Sequence, residues 1–161
     1  MEYWLNNQLD NQGYRFNIDE EDPEEAYGNL VRCKKSFLVD VRSQAEWSFV
    51  GIPYSSEMQN DTIFCEWASF PEMIKNPNFV EECVRKVNLE KTKILYFLCR
   101  SGARSLQAAS EVKNLIHHSY EKFSDITCIN IRYGFEGDLS KDFKRATLNG
   151  WKYSNLPWKQ L

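Results

Sequence analysis

The residues best suited to chemistry in this sequence form one short loop, Cys99 to Ser105, which reads CRSGARS. The apolar residues before it predict a buried strand that ends at Cys99, and the residues after it predict a helix from Ala103. Gly102 allows a tight turn in which successive backbone N–H groups converge on one point. A thiol in this position faces backbone donors and the positive end of a helix dipole. That setting favours the thiolate and the binding of an anion above it.

Two arginines, Arg100 and Arg104, add full positive charges to this loop. The alternative interpretation is that Cys99 is a buried cysteine at a strand end, beside an ordinary turn. The strand exit, the glycine turn, the helix start and the two arginines all favour anion binding instead. We therefore predict Cys99 as a nucleophile whose substrate is bound by the residues that follow it, namely Arg100, Ser101, Gly102, Ala103 and Arg104.

The two histidines indicate how such a cysteine is activated. His117 and His118 lie at the far end of the predicted helix, roughly 20 Å from Cys99 at 1.5 Å per residue. A Cys–His dyad is therefore not expected. Activation by backbone N–H groups and arginine suits an anionic substrate.

Strand-like and helical runs alternate along the chain, and this pattern positions the loop. Capping-box spacing predicts helix starts at Asp22, with Glu25, and at Ser43, with Glu46. The predicted helices cover residues 22–31, 43–50, 76–87 and 103–116, and the predicted strands cover 36–42, 62–67, 93–99 and 125–131. Continuous apolar strands that alternate with helices predict an α/β fold, an open parallel β-sheet with helices on both faces.

Ligands of such sheets bind beyond the carboxyl ends of the strands, where two further groups of polar residues lie. Asp40 and Arg42 end one predicted strand, and Glu136 follows another. We expect Asp40 and Arg42 to fix the cysteine loop; a structural ion pair is the alternative. We expect Glu136 to hold its own loop, and a helix cap is the alternative there.

Composition excludes several classes of function. The chain has 161 residues and a net charge of -3, which gives no bulk electrostatic reason to bind nucleic acid or an anionic membrane. The N-terminal residues lack the basic start and apolar stretch of a signal peptide, and no window is apolar enough for a membrane span. We therefore expect a cytoplasmic protein.

The five cysteines are scattered and contain no C-x-x-C pair, so we expect reduced thiols and no structural zinc. Cys65, Cys83 and Cys128 lie in apolar patterns, where burial is expected to raise the pKa of each thiol. The exposure of Cys33 is left open by the sequence.

With these residues in view, the chain resembles the single-domain rhodaneses, sulfurtransferases that carry a sulfane sulfur as a cysteine persulfide. CRSGARS is similar to their active-site loop, and LVDVRSQAEW (38–47) to their first strand and helix. GFEGDL (134–139) and NGWKYSNLPWKQ (149–160) resemble the late and closing segments of bacterial members. The resemblance begins near Ile18, so we expect one rhodanese-like domain over 18–161 after an N-terminal extension over 1–17.

The resemblance implies that Cys99 takes sulfur from a small anionic donor such as thiosulfate. The acceptor would be cyanide, a small thiol or a cysteine of a partner protein, and neither a cofactor nor a metal is implied. The chain departs from the family at VGIPYS, where a histidine and a glycine are missing, and at Tyr133, where a glycine is common. Both departures affect the expected range of substrates.

Two other functions fit the same fold. Phosphatases and arsenate reductases of this fold place five residues between the cysteine and the arginine, whereas four lie between Cys99 and Arg104. A shorter loop encloses less space, which favours a single sulfur atom over a tetrahedral phosphate. The other alternative is a non-catalytic binding module, although such proteins usually lack the cysteine.

Overall fold

A five-stranded parallel sheet lies at the centre of the computed structural model, which describes residues 17–161. The strands of this sheet are β1 (Asp19–Glu21), β2 (Ser36–Asp40), β4 (Ile63–Phe64), β7 (Ile94–Leu98) and β8 (Thr127–Ile131), and their spatial order is β1-β8-β7-β2-β4. Two short antiparallel pairs flank it: β3 (Ile52–Pro53) with β9 (Trp158–Lys159), and β5 (Ala68–Ser69) with β6 (Ile74–Lys75). Strand β7, which leads to Cys99, is therefore central.

Helices cover both faces of this sheet: α1 (Pro23–Arg32), α2 (Gln44–Phe49), α3 (Phe79–Lys86) and α4 (Ala103–Ser119). Two turns of 3₁₀-helix cover Leu89–Lys91 and Glu121–Phe123. Alternate residues of β7 point to opposite faces, as a strand requires. Leu95 and Phe97 join a core with α3 and α4, whereas Tyr96 and Leu98 join a second core with α1 and Trp151. The predicted open parallel sheet with helices on both faces is confirmed.

The predicted elements agree best where the sequence is strongly apolar. Strands β2, β7 and β8 each lie inside their predicted ranges, but the strand predicted over 62–67 is reduced to Ile63–Phe64. Helix α3 begins at Phe79 rather than at residue 76, because Asn76 to Asn78 form a turn in which the Asn78 N–H donates to the Asn76 side chain at 3.0 Å. Strand β1 was not predicted.

One of the two predicted capping boxes forms. In α2 the Ser43 side chain accepts from the Glu46 N–H, and the Glu46 carboxylate accepts from the Ser43 N–H. The box predicted at Asp22 and Glu25 is wrong, because Asp22 precedes α1 without a side-chain cap bond. Its carboxylate instead accepts from Arg132 at 2.6 Å, so a tertiary ion pair replaces the local cap.

The described residues include the whole of the domain expected over 18–161 and only the last residue of the expected extension. Residues 1–16 of the extension predicted over 1–17 lie outside them, and Ile18 leads directly into β1. Within the described part of the chain, no helix is long and apolar enough to cross a membrane. The five cysteines are unpaired thiols; Cys33 is half-buried and the other four are buried.

Candidate active site

Cys99 follows the last residue of β7 and lies at the carboxyl edge of the sheet. Its residue surface is only 1% exposed. The Sγ atom accepts a hydrogen bond from the Gly102 backbone N–H at 3.1 Å, and the Ser105 Oγ lies at the same distance. The Gly102 N–H and the Ser105 hydroxyl are therefore the polar groups that contact the Cys99 sulfur.

The turn that presents this N–H depends on Gly102. Its φ of 100° is in the left-handed region, and it is the N-cap residue of α4. A Cβ at this position would lie 3.3 Å from the Tyr133 backbone nitrogen, which is a tight contact. A residue without a side chain therefore fits here best.

Arg104, expected to attract the substrate anion, is held by Glu46. Its Nη1 donates to Glu46 Oε2 at 2.9 Å and its Nη2 to Oε1 at 2.7 Å. Both side chains are mostly buried, at 17% and 16% exposure. Burial alone raises the pKa of Glu46, but the bonds and charge of Arg104, with the bonds from Ser43, outweigh it and lower the pKa to about 2. The arginine therefore links α4 to α2 through a charged pair.

Sequence reasoning did not place Glu46 in the site. The capping-box spacing identified its role in α2, but not the second role of the same carboxylate toward Arg104. That role joins residues 58 positions apart, and no local pattern reports such a distance.

Asp40 and Arg42 form a fully buried ion pair one strand away from Cys99. The Asp40 carboxylate accepts from the Arg42 backbone N–H at 3.1 Å, from Nε at 3.0 Å and from Nη2 at 2.7 Å. The Arg42 guanidinium also lies 4.1 Å from the ring centre of Phe135. Phe135 in turn donates its N–H to the Cys99 carbonyl at 2.7 Å. The pair thus contacts the cysteine loop through Phe135.

Glu136 lies beside the loop and is joined to it through its backbone. Its N–H donates to the Arg100 carbonyl at 2.9 Å, and the Gly137 N–H donates to the same oxygen at 3.2 Å. Gly134 approaches so closely that a Cβ there would overlap the Cys99 carbonyl oxygen. Tyr133, where the resembling family often has glycine, has a left-handed φ of 67°. The segment after β8 therefore fixes the cysteine loop by main-chain contacts.

A hydrogen-bonded network of polar side chains, which the sequence did not reveal, lies behind Cys99. Ser105 Oγ is 2.6 Å from Asn130 Oδ1, and Asn130 Nδ2 donates to Glu20 Oε2 at 2.7 Å and to the Gly102 carbonyl at 3.1 Å. Ser105 and Asn130 are buried. A polar residue within the apolar strand TCINI was the only signal for Asn130, and Glu20 lies on the strand that was not predicted.

The sequence also did not single out Arg145. Its Nη1 donates to the Gly137 carbonyl at 2.7 Å, in the segment that contacts Arg100. Partial burial lowers the pKa of Arg145, and the positive charges of Arg100 and Arg104 lower it further. Arg145 and the exposed Arg100 are therefore two neighbouring cations at the cysteine loop.

The other buried thiols differ in the direction in which their pKa is shifted. Burial raises the pKa of Cys128 to about 12. The hydrogen bond to Cys65 and burial together raise the pKa of Cys83. The raised pKa expected for Cys65 is wrong: the hydrogen bond from Cys83 lowers it and outweighs burial. His117 and His118 lie in the last turn of α4, far along the helix from Cys99.

Comparison with known proteins gives several similar chains. No family model matches. The uncharacterized protein RC0915 of Rickettsia conorii is 37% identical over 134 residues, which are 83% of this chain and 91% of that protein. The uncharacterized protein RP600 of Rickettsia prowazekii is similar to the same extent. The crystal structure of Rv0390 from M. tuberculosis has a TM-score of 0.74 and 33% identity, over 91% of this chain and 99% of that one.

Two structures of lower sequence identity belong to proteins that are named for a chemical activity. The As-Sb reductase from Leishmania major has a TM-score of 0.55 at 14% identity, covering 80% of this chain and 92% of that one. The polysulfide-sulfur transferase from Wolinella succinogenes has a TM-score of 0.54 at 17% identity, covering 89% of this chain and 80% of that one. At these identities the likeness is one of fold alone.

Proposed function

The chain belongs to the same family as the Rickettsia proteins and Rv0390 and has a rhodanese-like fold, and from this premise we propose that it is a sulfurtransferase. Cys99 carries a sulfane sulfur from thiosulfate or a related anionic donor to a thiophilic acceptor. The fold alone also suits other cysteine chemistry, so the proposal depends on the geometry of the loop.

The observation that carries the proposal is the arrangement of Cys99 and Arg104. Four residues separate them, and the guanidinium fork of Arg104 is already filled by the Glu46 carboxylate. A fork of this kind would otherwise bind two oxygens of a phosphate or arsenate. A short loop with an occupied fork favours a single sulfur atom over a tetrahedral oxyanion.

The reaction has two steps, each a displacement at sulfur. The Cys99 thiolate attacks the outer sulfur of thiosulfate; a new S–S bond forms, the S–S bond of the donor breaks, and sulfite leaves with the electron pair. A nucleophile such as cyanide then attacks the outer sulfur of the persulfide; a new C–S bond forms, the S–S bond to Cys99 breaks, and its electron pair goes to Cys99 Sγ. Thiocyanate leaves, and Cys99 is regenerated as the thiolate.

The surrounding groups support both steps. The Gly102 N–H lies against Sγ, and the start of α4 adds partial positive charge that stabilises a negative sulfur. Arg100 and Arg145 supply the positive charge that attracts the donor, because the charge of Arg104 is balanced by Glu46. The acceptor is cyanide, a small thiol or a partner-protein cysteine, and the unpaired thiols suit a reducing cytoplasm.

Intact mass spectrometry after thiosulfate treatment tests the proposal. We expect the protein to gain the mass of one sulfur atom, and we expect cyanide to remove it. Cys99→Ser should lose this adduct, whereas the matched variant Cys33→Ser should keep it. The proposal is wrong if the unmodified protein forms no adduct, as a non-catalytic binding module would, or if Cys99→Ser forms it undiminished.

A further inference from the structure

The orientation of the Asn130 side chain is fixed by two neighbours that can only accept hydrogen bonds. Its amide nitrogen lies 2.7 Å from Glu20 Oε2 and 3.1 Å from the Gly102 carbonyl oxygen. A carboxylate and a carbonyl have no hydrogen to donate, so the NH₂ group of Asn130 must face both of them. The amide oxygen of Asn130 therefore faces Ser105.

This orientation determines the direction of the Ser105 hydroxyl. Ser105 Oγ lies 2.6 Å from Asn130 Oδ1, and an amide oxygen has no proton, so the hydroxyl proton must lie between them. The Gly102 carbonyl, 3.3 Å from the same Oγ, is also an acceptor and supplies no proton. The single proton of Ser105 therefore points to Asn130.

A consequence follows for Cys99, whose Sγ lies 3.1 Å from Ser105 Oγ. With its proton turned away, Ser105 presents only lone pairs to the sulfur. Lone pairs suit a thiol, whose S–H can donate to Ser105, and they repel a thiolate. For Ser105 to donate to a thiolate it must rotate away from Asn130, which leaves a buried amide oxygen without a donor.

We infer that Asn130 is a positioning residue, which holds the Ser105 hydroxyl turned away from Cys99 and so favours the thiol over the free thiolate. The inference rests on the proposed role of Cys99 as the reactive thiol. In a persulfide the negative charge lies on the outer sulfur and Sγ bears none, so the bond from Ser105 to Asn130 is retained. The network therefore favours the loaded cysteine over the free thiolate.

The charges around Cys99 are unchanged by the substitutions that test this inference, because Ser105 and Asn130 are both uncharged. The charged groups on the cysteine loop and on the elements packed around it are Arg100, Arg104, Glu46, Asp40, Arg42, Glu136, Arg145 and Glu20. A difference between variants in the titration midpoint of Cys99 then reports the direction of the Ser105 hydroxyl.

The experiment is a pH titration of thiolate ultraviolet absorbance, with the signal of Cys99 isolated by subtracting that of Cys99→Ser. In Asn130→Ala, the freed Ser105 proton can donate to the thiolate, so we expect the Cys99 midpoint to fall by about one pH unit. In Ser105→Ala the donor is lost, and adding Asn130→Ala should produce no further shift, because Asn130 acts through Ser105. Asn114→Ala and Ser110→Ala, on the same α4, are the matched controls and should not move the midpoint.

Two results would overturn the inference: a midpoint that is unchanged or raised in Asn130→Ala, or an equal fall in the Ser105→Ala background. If Asn130→Ala does not fold, Asn130→Val replaces it, because valine suits a strand and also lacks the acceptor. The thiosulfate adduct is measured on the same proteins. A missing adduct with the expected midpoints overturns the proposed function alone, and an adduct without the shift overturns this inference alone.

Discussion

Arg104 and Glu46 are joined by two hydrogen bonds, of 2.9 and 2.7 Å, across 58 positions of sequence. The same Glu46 carboxylate caps α2 by accepting from the Ser43 N–H at 2.9 Å. The Glu46 side chain therefore connects the start of α2 to α4, the helix that follows the cysteine loop. It also balances the arginine charge that a phosphate would need.

Removal of the Glu46 charge should weaken the fold and open the arginine to oxyanions. In Glu46→Gln, Arg104 is left mostly buried without its charged partner, so we expect a loss of about 2 kcal/mol in the free energy of unfolding, measured by urea denaturation. Inorganic phosphate should also inhibit sulfur loading more strongly than in the unmodified protein. Glu66→Gln is the control, because Glu66 accepts from the Gln44 N–H at the same helix but does not contact Arg104. Equal stability of the two variants would contradict the role given to the ion pair.

The same pair predicts a dependence of stability on acid. The pKa of Glu46 is about 2 in the folded protein against 4.5 for the free group, so folding favours the ionised form. Its contribution is fully present above pH 4.5 and is lost as the pH falls from 4.5 toward 2. The difference in urea midpoint between the unmodified protein and Glu46→Gln should therefore shrink across this window. If the difference in urea midpoint stays constant down to the lowest pH at which both proteins fold, the predicted contribution of ionised Glu46 is wrong.

The close approach of Gly134 to the cysteine loop gives a third prediction. Its φ of 62° is left-handed, and a Cβ would lie 2.7 Å from the Arg100 carbonyl oxygen. Gly134→Ala must therefore displace the loop, and we expect lower thermal stability together with loss of the thiosulfate adduct. Gly28→Ala is the control, since its Cβ would meet only the flexible end of Arg32 at 3.0 Å within α1. A fully loaded Gly134→Ala protein would show that the main-chain contacts do not position Cys99.

Loop length gives a prediction about phosphatase chemistry. Four residues between Cys99 and Arg104 enclose too little space for three phosphate oxygens, so aryl phosphates should not be hydrolysed measurably. Inserting one glycine between Ala103 and Arg104 in Glu46→Gln both lengthens the loop and frees the guanidinium. We expect phosphate binding to increase and sulfur loading to fall in that protein. Strong phosphatase activity of the unmodified protein that disappears in Cys99→Ser would show that the protein is a phosphatase and that the loop-length argument is wrong.

The sequence was informative where structure is locally determined. Apolar runs predicted β2, β7 and β8, and the capping box at Ser43 formed because both of its partners lie within one turn. The cysteine loop was predicted because strand, glycine and helix start are consecutive in the chain. These features depend on residues that are neighbours in sequence.

Features that depend on distant residues were missed. Strand β1 is short and acidic, DEE, and carries no apolar alternation; it exists because it pairs in parallel with β8. The Asp22 cap failed for the same reason, since Arg132 competes for its carboxylate from 110 positions away. Local preference is a weak determinant when a tertiary partner of opposite charge is available.

The pairing of β1 with β8 has a consequence for synthesis on the ribosome. Residues 19 to 21 leave the exit tunnel early, yet their partners 129 to 131 emerge last among the strands of the central sheet. Until then the nascent chain has Cys99 without Asn130 behind Ser105, and without the segment from Gly134 that binds the loop. Cys99 is therefore translated before its surroundings, and long-range pairing of this kind forms slowly. The hydrogen bonds from Ser105 to Asn130 and from Phe135 to Cys99 can therefore form only after residue 135 has left the tunnel.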